Sequence, residues 1–157
     1  MAATTVTVRN ALGTAIAAGS YVFAAITSEE VYLPEIDGKN LSTTIPTVQI
    51  LSLAMGKTRH TRSIVGSDKV SDHEIATQIL VTKKVSPSDN TDLDNMVEFL
   101  EQLGTECAKK DIGSNIEWFR NEPIATGEEE EYPYFIAVLG RDHIFHGSFV
   151  AFHKVVK

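Results

Sequence analysis

The sequence predicts an α+β domain, a β-sheet with an amphipathic helix packed on one face. Three observations predict it. Residues 73–85 alternate with the two-residue period of a half-buried strand. Ile75, Thr77, Ile79, Val81 and Lys83 fall on one side, and Glu74, Gln78, Thr82 and Lys84 on the other. Residues 90–110 carry Leu93, Met96, Val97, Leu100, Leu103 and Cys107 at helical spacing, so one stripe is apolar. Further β-branched and aromatic runs are cut off by proline or glycine turns.

The helix has legible ends. Ser86-Pro87-Ser88-Asp89-Asn90 breaks the strand. Thr91 is the expected N-cap, with Asp94 completing a capping box in which aspartate replaces the usual glutamate or glutamine. Asp92 and Asp94 suit the positive end of the helix dipole. Lys109 and Lys110 close the helix, and Gly113 follows.

From the N-terminus, residues 4–18 form a first helix with Val6, Ala11, Leu12, Ala15 and Ile16 as its stripe and Gly19 as its stop. Residues 21–33 are extended and end at Pro34, and Asp37-Gly38 marks a turn. Residues 43–54 form a strand apolar on both faces, Val48 and Ile50 on one and Leu51 and Leu53 on the other, as expected of a central strand. Residues 55–72 read as a long polar loop holding Lys57, Arg59, Arg62 and Lys69; loops of that length are functional or disordered. After the second helix come a short strand at 115–120 containing Trp118, the breaker Asn121-Glu122-Pro123, and the acidic run Glu128, Glu129, Glu130 and Glu131. Strands follow at 132–139 and 143–156. No repeat or internal boundary divides the 157 residues, so a single domain is expected.

Composition narrows function. A net charge of −7 argues against a nucleic-acid binder, because phosphate binding needs a positive surface. No apolar run reaches membrane-spanning length. One cysteine excludes an internal disulfide, and Cys107 on the helix stripe reads as a buried thiol.

Signatures of chemistry are sparse. Gly56-Lys57-Thr58 resembles the end of a phosphate-binding loop, but position 51 is leucine and no helix pattern follows. His143, His146 and His153 do not converge on a straight strand. The first two face opposite ways, and His143 and His153 lie about 30 Å apart by strand rise; only a bend near Gly147 would bring them together. No nucleophile motif accompanies Cys107. The reading is therefore no enzyme, no catalytic residue, no metal and no cofactor. Candidate contacts with other subunits or partners are Lys57, Arg59, Arg62 and Lys69 on the basic side, Glu128, Glu129, Glu130 and Glu131 on the acidic side, and Phe99 at the stripe edge. Phe99 is otherwise core. A basic and an acidic surface on one chain suit a head-to-tail ring.

The order of residues adds to this. Val31-Tyr32-Leu33-Pro34-Glu35, Asp37 and Leu41 are followed by Gln78-Ile79-Leu80-Val81-Thr82-Lys83-Lys84-Val85. Leu93-Asp94, Phe99-Leu100, Asn121-Glu122-Pro123-Ile124, Glu129-Glu130-Glu131 and Phe135 complete the series. Over residues 5–140 this series resembles the tail-terminator, or tail-completion, proteins of long-tailed bacteriophages. The resemblance implies a mixed or antiparallel sheet with helices on one side. It implies a ring, six-fold in the family, that caps the head-proximal end of the tail tube, ends tube growth and joins the tail to the head–tail connector. It implies self-association, tail-tube and connector partners, and a lumen that passes genomic DNA without binding it specifically. The expected location is the virion neck, after synthesis in the host cytoplasm. Relative to that family the chain has a longer link at 55–72 and a C-terminal strand extension at 141–157, both expected to meet partners. The alternatives are another neck protein, such as a head-closure or connector ring, and a non-viral protein-binding adaptor.

Overall fold

The structure is a computed structural model, and it describes residues 4–32, 41–51, 58–62, 71–86, 88–109, 112–113, 116–122, 134–139 and 143–156. In chain order the elements are α1 (Thr4–Ala18), β1 (Thr27–Val31), β2 (Thr47–Leu51), β3 (Thr58–Arg62), β4 (Ser71–Lys84), α2 (Asn90–Cys107), β5 (Ile116–Glu122), β6 (Phe135–Leu139) and β7 (Ile144–Val156). They form the α+β fold expected, among the described residues two helices on a seven-stranded mixed sheet.

The sheet is built on one long antiparallel ribbon. β4 pairs with β7 from Asp72 opposite Val156 to Lys84 opposite Ile144, a ladder of roughly 40 Å by strand rise. Two strands share each outer side of that ribbon. β2 and β3 both lie antiparallel along β4. β5 and β6 both lie antiparallel along β7. β1 then adds to β2 in parallel.

The residues expected to be a C-terminal extension are therefore at the sheet's centre. β7 pairs with three strands, and its apolar alternation of Phe145, Phe149, Ala151 and Val155 supplies much of the core. The polar loop expected at 55–72 contains β3, which pairs with the start of β4. Thr-Arg-His-Thr-Arg has no apolar alternation, so nothing but its two threonines marks it as a strand. β4 is also not half-buried. Every residue from Ile75 to Lys83 is buried, polar Gln78 and Thr82 included. The face away from the helices, with Ala76, Gln78, Leu80 and Thr82, is covered as well as the face toward them.

Both helices cover the same sheet face. Val8, Leu12 and Ile16 of α1 and Met96, Phe99, Leu100, Leu103 and Cys107 of α2 pack on Val48, Ile50, Ile75, Ile79, Val81, Phe149 and Val155. Gly147 eases the approach of α2 to β7, since a Cβ there would lie 2.9 Å from Phe145 Cε1 and 3.0 Å from Leu100 Cδ2. The segment linking α1 to β1 closes the helix layer. Tyr21 and Phe23 both set their rings edge-on to Phe99, and the Tyr21 hydroxyl donates to the Ile16 carbonyl (2.6 Å) at the end of α1.

The N-cap of α2 is Asp89, not Thr91. Its carboxylate accepts from the Asp92 amide (3.2 Å), and the helix starts at Asn90, which places Thr91 inside the first turn. Asp89→Ala is expected to cost about 1 kcal/mol, and Thr91→Ala a few tenths at most. Urea unfolding midpoints of the two variants check this, and equal losses would return the cap to Thr91.

Candidate functional site

Buried polar chemistry comes first. Lys83, on the helix-facing side of β4, is 1% exposed. Its Nζ reaches Asp92 Oδ1 in the first turn of α2 (2.8 Å) and the Lys84 carbonyl (3.2 Å), 5.8 Å from the Phe23 ring centroid. This pair ties sheet to helix.

His153 is fully buried, and its Nε2–H donates to the Cys107 carbonyl at the end of α2 (2.9 Å). A carbonyl only accepts, so Nδ1 is the bare nitrogen, and it makes no hydrogen bond. Burial lowers the His153 pKa, and the bond to Cys107 offsets this in part. His146 is lowered by burial as well. The Cys107 thiol is buried and its pKa is raised, first by burial and then by Glu106, so it stays protonated and inert.

Both histidines fold neutral, and the unfolded chain takes up their protons near the ordinary value of 6.5. Their contribution to stability is complete above that pH and declines as pH falls from there toward the folded values. Urea midpoints should therefore drop between pH 7.5 and pH 5.5. His153→Gln, which keeps a donor but does not titrate, should flatten the slope. A midpoint independent of pH over that range would refute the linkage.

The three histidines do not assemble a site. His143 sits exposed at the turn before β7 with φ 50°, and β7 runs without a bend through Gly147. His146 and His153 are seven residues apart on that strand and face opposite ways. Among the described residues no group of three metal-ligating side chains occurs, and no helix is long and apolar enough to cross a membrane.

The sheet margins are the remaining surface with character. Among the described residues β1 pairs only with β2, and β6 only with β7. They lie on opposite sides of the sheet. β1, Thr-Ser-Glu-Glu-Val, is exposed at both Glu29 and Glu30, and Tyr32 just beyond it is 52% exposed. β6, Phe-Ile-Ala-Val-Leu, has no charge and no proline, with Ile136 43% and Val138 44% exposed on the helix side of the sheet.

β5 carries a bulge between Trp118 and Arg120. The extra residue turns both Trp118 and Asn121 toward the helix side. The indole N–H donates to Asn121 Oδ1 (2.9 Å), and Asn121 Nδ2–H donates to the Gly104 carbonyl of α2 (3.2 Å). With Tyr134 and Arg120 they line an open hollow of about 430 Å³ where β5 gives way to β6. Arg120 also stacks over Phe152, 4.1 Å from the ring centroid.

No protein-family model matches the chain, and no curated protein matches it.

The contact residues expected from sequence fare unevenly. Phe99 is core and not a subunit contact, since it is fully buried under Tyr21 and Phe23. Arg59 and Arg62 lie on β3, opposite Glu74 and Ser71 in the ladder. Lys57, Lys69, Glu128, Glu129, Glu130 and Glu131 lie outside the described residues. β6 falls within the strand expected at 132–139, but its place at a sheet margin and the hollow beside Trp118 do not follow from the sequence. The sequence does carry its five consecutive uncharged residues, with none of the devices that guard an edge strand.

Proposed function

We propose that this chain is a structural subunit of a phage neck, a tail terminator that forms a ring on the head-proximal end of the tail tube, stops tube growth and joins the tail to the connector. The observation that carries the reading is the pair of unlike strands, β1 and β6, that lie on opposite sides of one sheet and, among the described residues, pair on one side only. A closed ring needs two different surfaces per subunit that complement each other, while a two-fold dimer needs one surface that complements itself. The ordered residue series over 5–140 supports the same reading, as does a buried polar set that forms separate sheet-to-helix ties instead of a converging site. The reading entails no catalysis and no cofactor, and DNA passes the lumen unread.

Seven strands against two helices favour one alternative, a head-closure ring of the same neck. Native mass measurement of the purified chain tests both readings, with an expected mass at a small multiple of 17.2 kDa. Electron micrographs of tagged particles separate them: label at the tail-tube end supports the terminator, and label on the head side supports head closure. A chain that stays strictly monomeric and never enters particles sinks both.

A further inference from the structure

We infer that β1 of one copy adds antiparallel to β6 of the next, so that the sheet runs on across the subunit boundary. This rests on the ring reading above and names its interface.

Strand direction comes first. β1 runs parallel to β2, β2 antiparallel to β4, β4 antiparallel to β7, and β7 antiparallel to β6. β1 and β6 therefore point in opposite directions. Rotation about an axis along the strands preserves direction, so a neighbour brought round by such a rotation offers its β1 antiparallel to β6.

Level comes second. The registers link Ser28 to Val48, Val81, Gly147 and Ile136 in one row, and Glu29 to Gln49, Leu80, Ser148 and Phe135 in the next. A rotation without axial offset then sets Ser28 of the incoming strand opposite Ile136. It brings the end of β1, with Glu30 and the exposed Tyr32, to the hollow beside Tyr134.

Charge comes third. That end of β1 is acidic, through Glu29 and Glu30, and Glu29 shares with Arg120 the face away from the helices, where the guanidinium lies over Phe152. Two β1 strands paired with each other would set these carboxylates against their like. β5 is a poorer acceptor, since its bulge and its charges Glu117 and Arg120 guard its margin. β6 has neither guard, and Ile136 and Val138 wait beside it half-covered. The occupant that fits is a second copy of this chain.

Disulfide capture tests the register. In one chain Ser28 and Ile136 stand four strand spacings apart, about 19 Å, too far for an internal bridge. Cys107 is buried and does not compete. The full chain carrying Ser28→Cys and Ile136→Cys, oxidised by diamide, should give a non-reducing gel ladder that climbs to the native oligomer. Glu30→Cys with Ile136→Cys tests a register shifted by two residues. The reduced variants should melt within a few degrees of the parent, which keeps misfolding out of the reading. Glu29→Lys should weaken assembly at least tenfold, and Glu29→Lys with Arg120→Glu should recover most of it. A native oligomer with no ladder at either register and no charge effect overturns this interface and leaves the ring standing. Dimers from Ile136→Cys alone overturn it in favour of β6 pairing with itself. A strict monomer sinks the interface and the ring together.

Discussion

Phe99→Ala is expected to destabilise the chain by about 4 kcal/mol. The ring has no solvent exposure, and it meets Tyr21 edge-on at 5.1 Å and Phe23 edge-on at 5.4 Å between centroids. Truncation removes the transfer energy of the largest apolar side chain of α2 and leaves a cavity. The cavity is hard to close, because α2 is held to the sheet at Gly147 on one side and by Lys83 at its start. A domain of this size has a total stability of about 5–15 kcal/mol, so the variant should stand near the edge of folding and express poorly. Urea unfolding measures the loss as a lower midpoint at unchanged slope. Phe99→Leu should recover more than half of it. A variant with parental stability and impaired assembly would restore Phe99 to the list of subunit contacts.

The second large effect is an asymmetry within the Lys83–Asp92 pair. Asp92→Ala should cost about 3 kcal/mol, because it leaves a buried ammonium facing Phe23 and a single carbonyl. Lys83→Met should stay within about 1 kcal/mol of the parent. Methionine fills the volume of the lysine stem, and Asp92 is 23% exposed at a helix start, where water and the helix dipole both receive its charge. The parent midpoint should also change little with added sodium chloride, since the contact is shielded from mobile ions. Equal losses in the two single variants would show that the charge on Lys83 needs no partner.

Much of this architecture is legible in the residues. The bounds of α1 follow from its stripe and Gly19, and the stripe of α2 from its spacing. β4 and β7 are visible as extended segments. What cannot be read is which strand neighbours which. Alternation reports a buried face, not a partner, so β7 passes for an appendage when it is the strand that β4, β5 and β6 share. The same gap hides the double burial of β4 and the parallel pairing of β1 with β2. β3 is hidden for a different reason, since a strand made of threonine, arginine and histidine has the composition of a loop. The cap at Asp89 was displaced by two residues because aspartate and threonine are both good caps, and only the observed start of the helix decides between them. Of the candidate surface, charge clusters draw attention in a sequence. The uncharged run of β6 is in the sequence too, but that it lies at a sheet margin, and that a bulge in β5 opens a hollow beside it, becomes visible only once the ladder is known.

The position of β7 also governs how the chain comes to be folded. β4 must wait for a segment some sixty residues further along before its second side is paired, and β5 and β6 wait for the same segment. Closing loops of that span precedes any reward from pairing, so folding should be slow, on the order of milliseconds to seconds. A ribosome-bound chain not yet carrying residues 144–156 would hold the helices and half a sheet, unable to settle. The chain would thus become competent to complete its fold only when translation has passed that point, and the helices and half sheet made before it stay uncommitted until then.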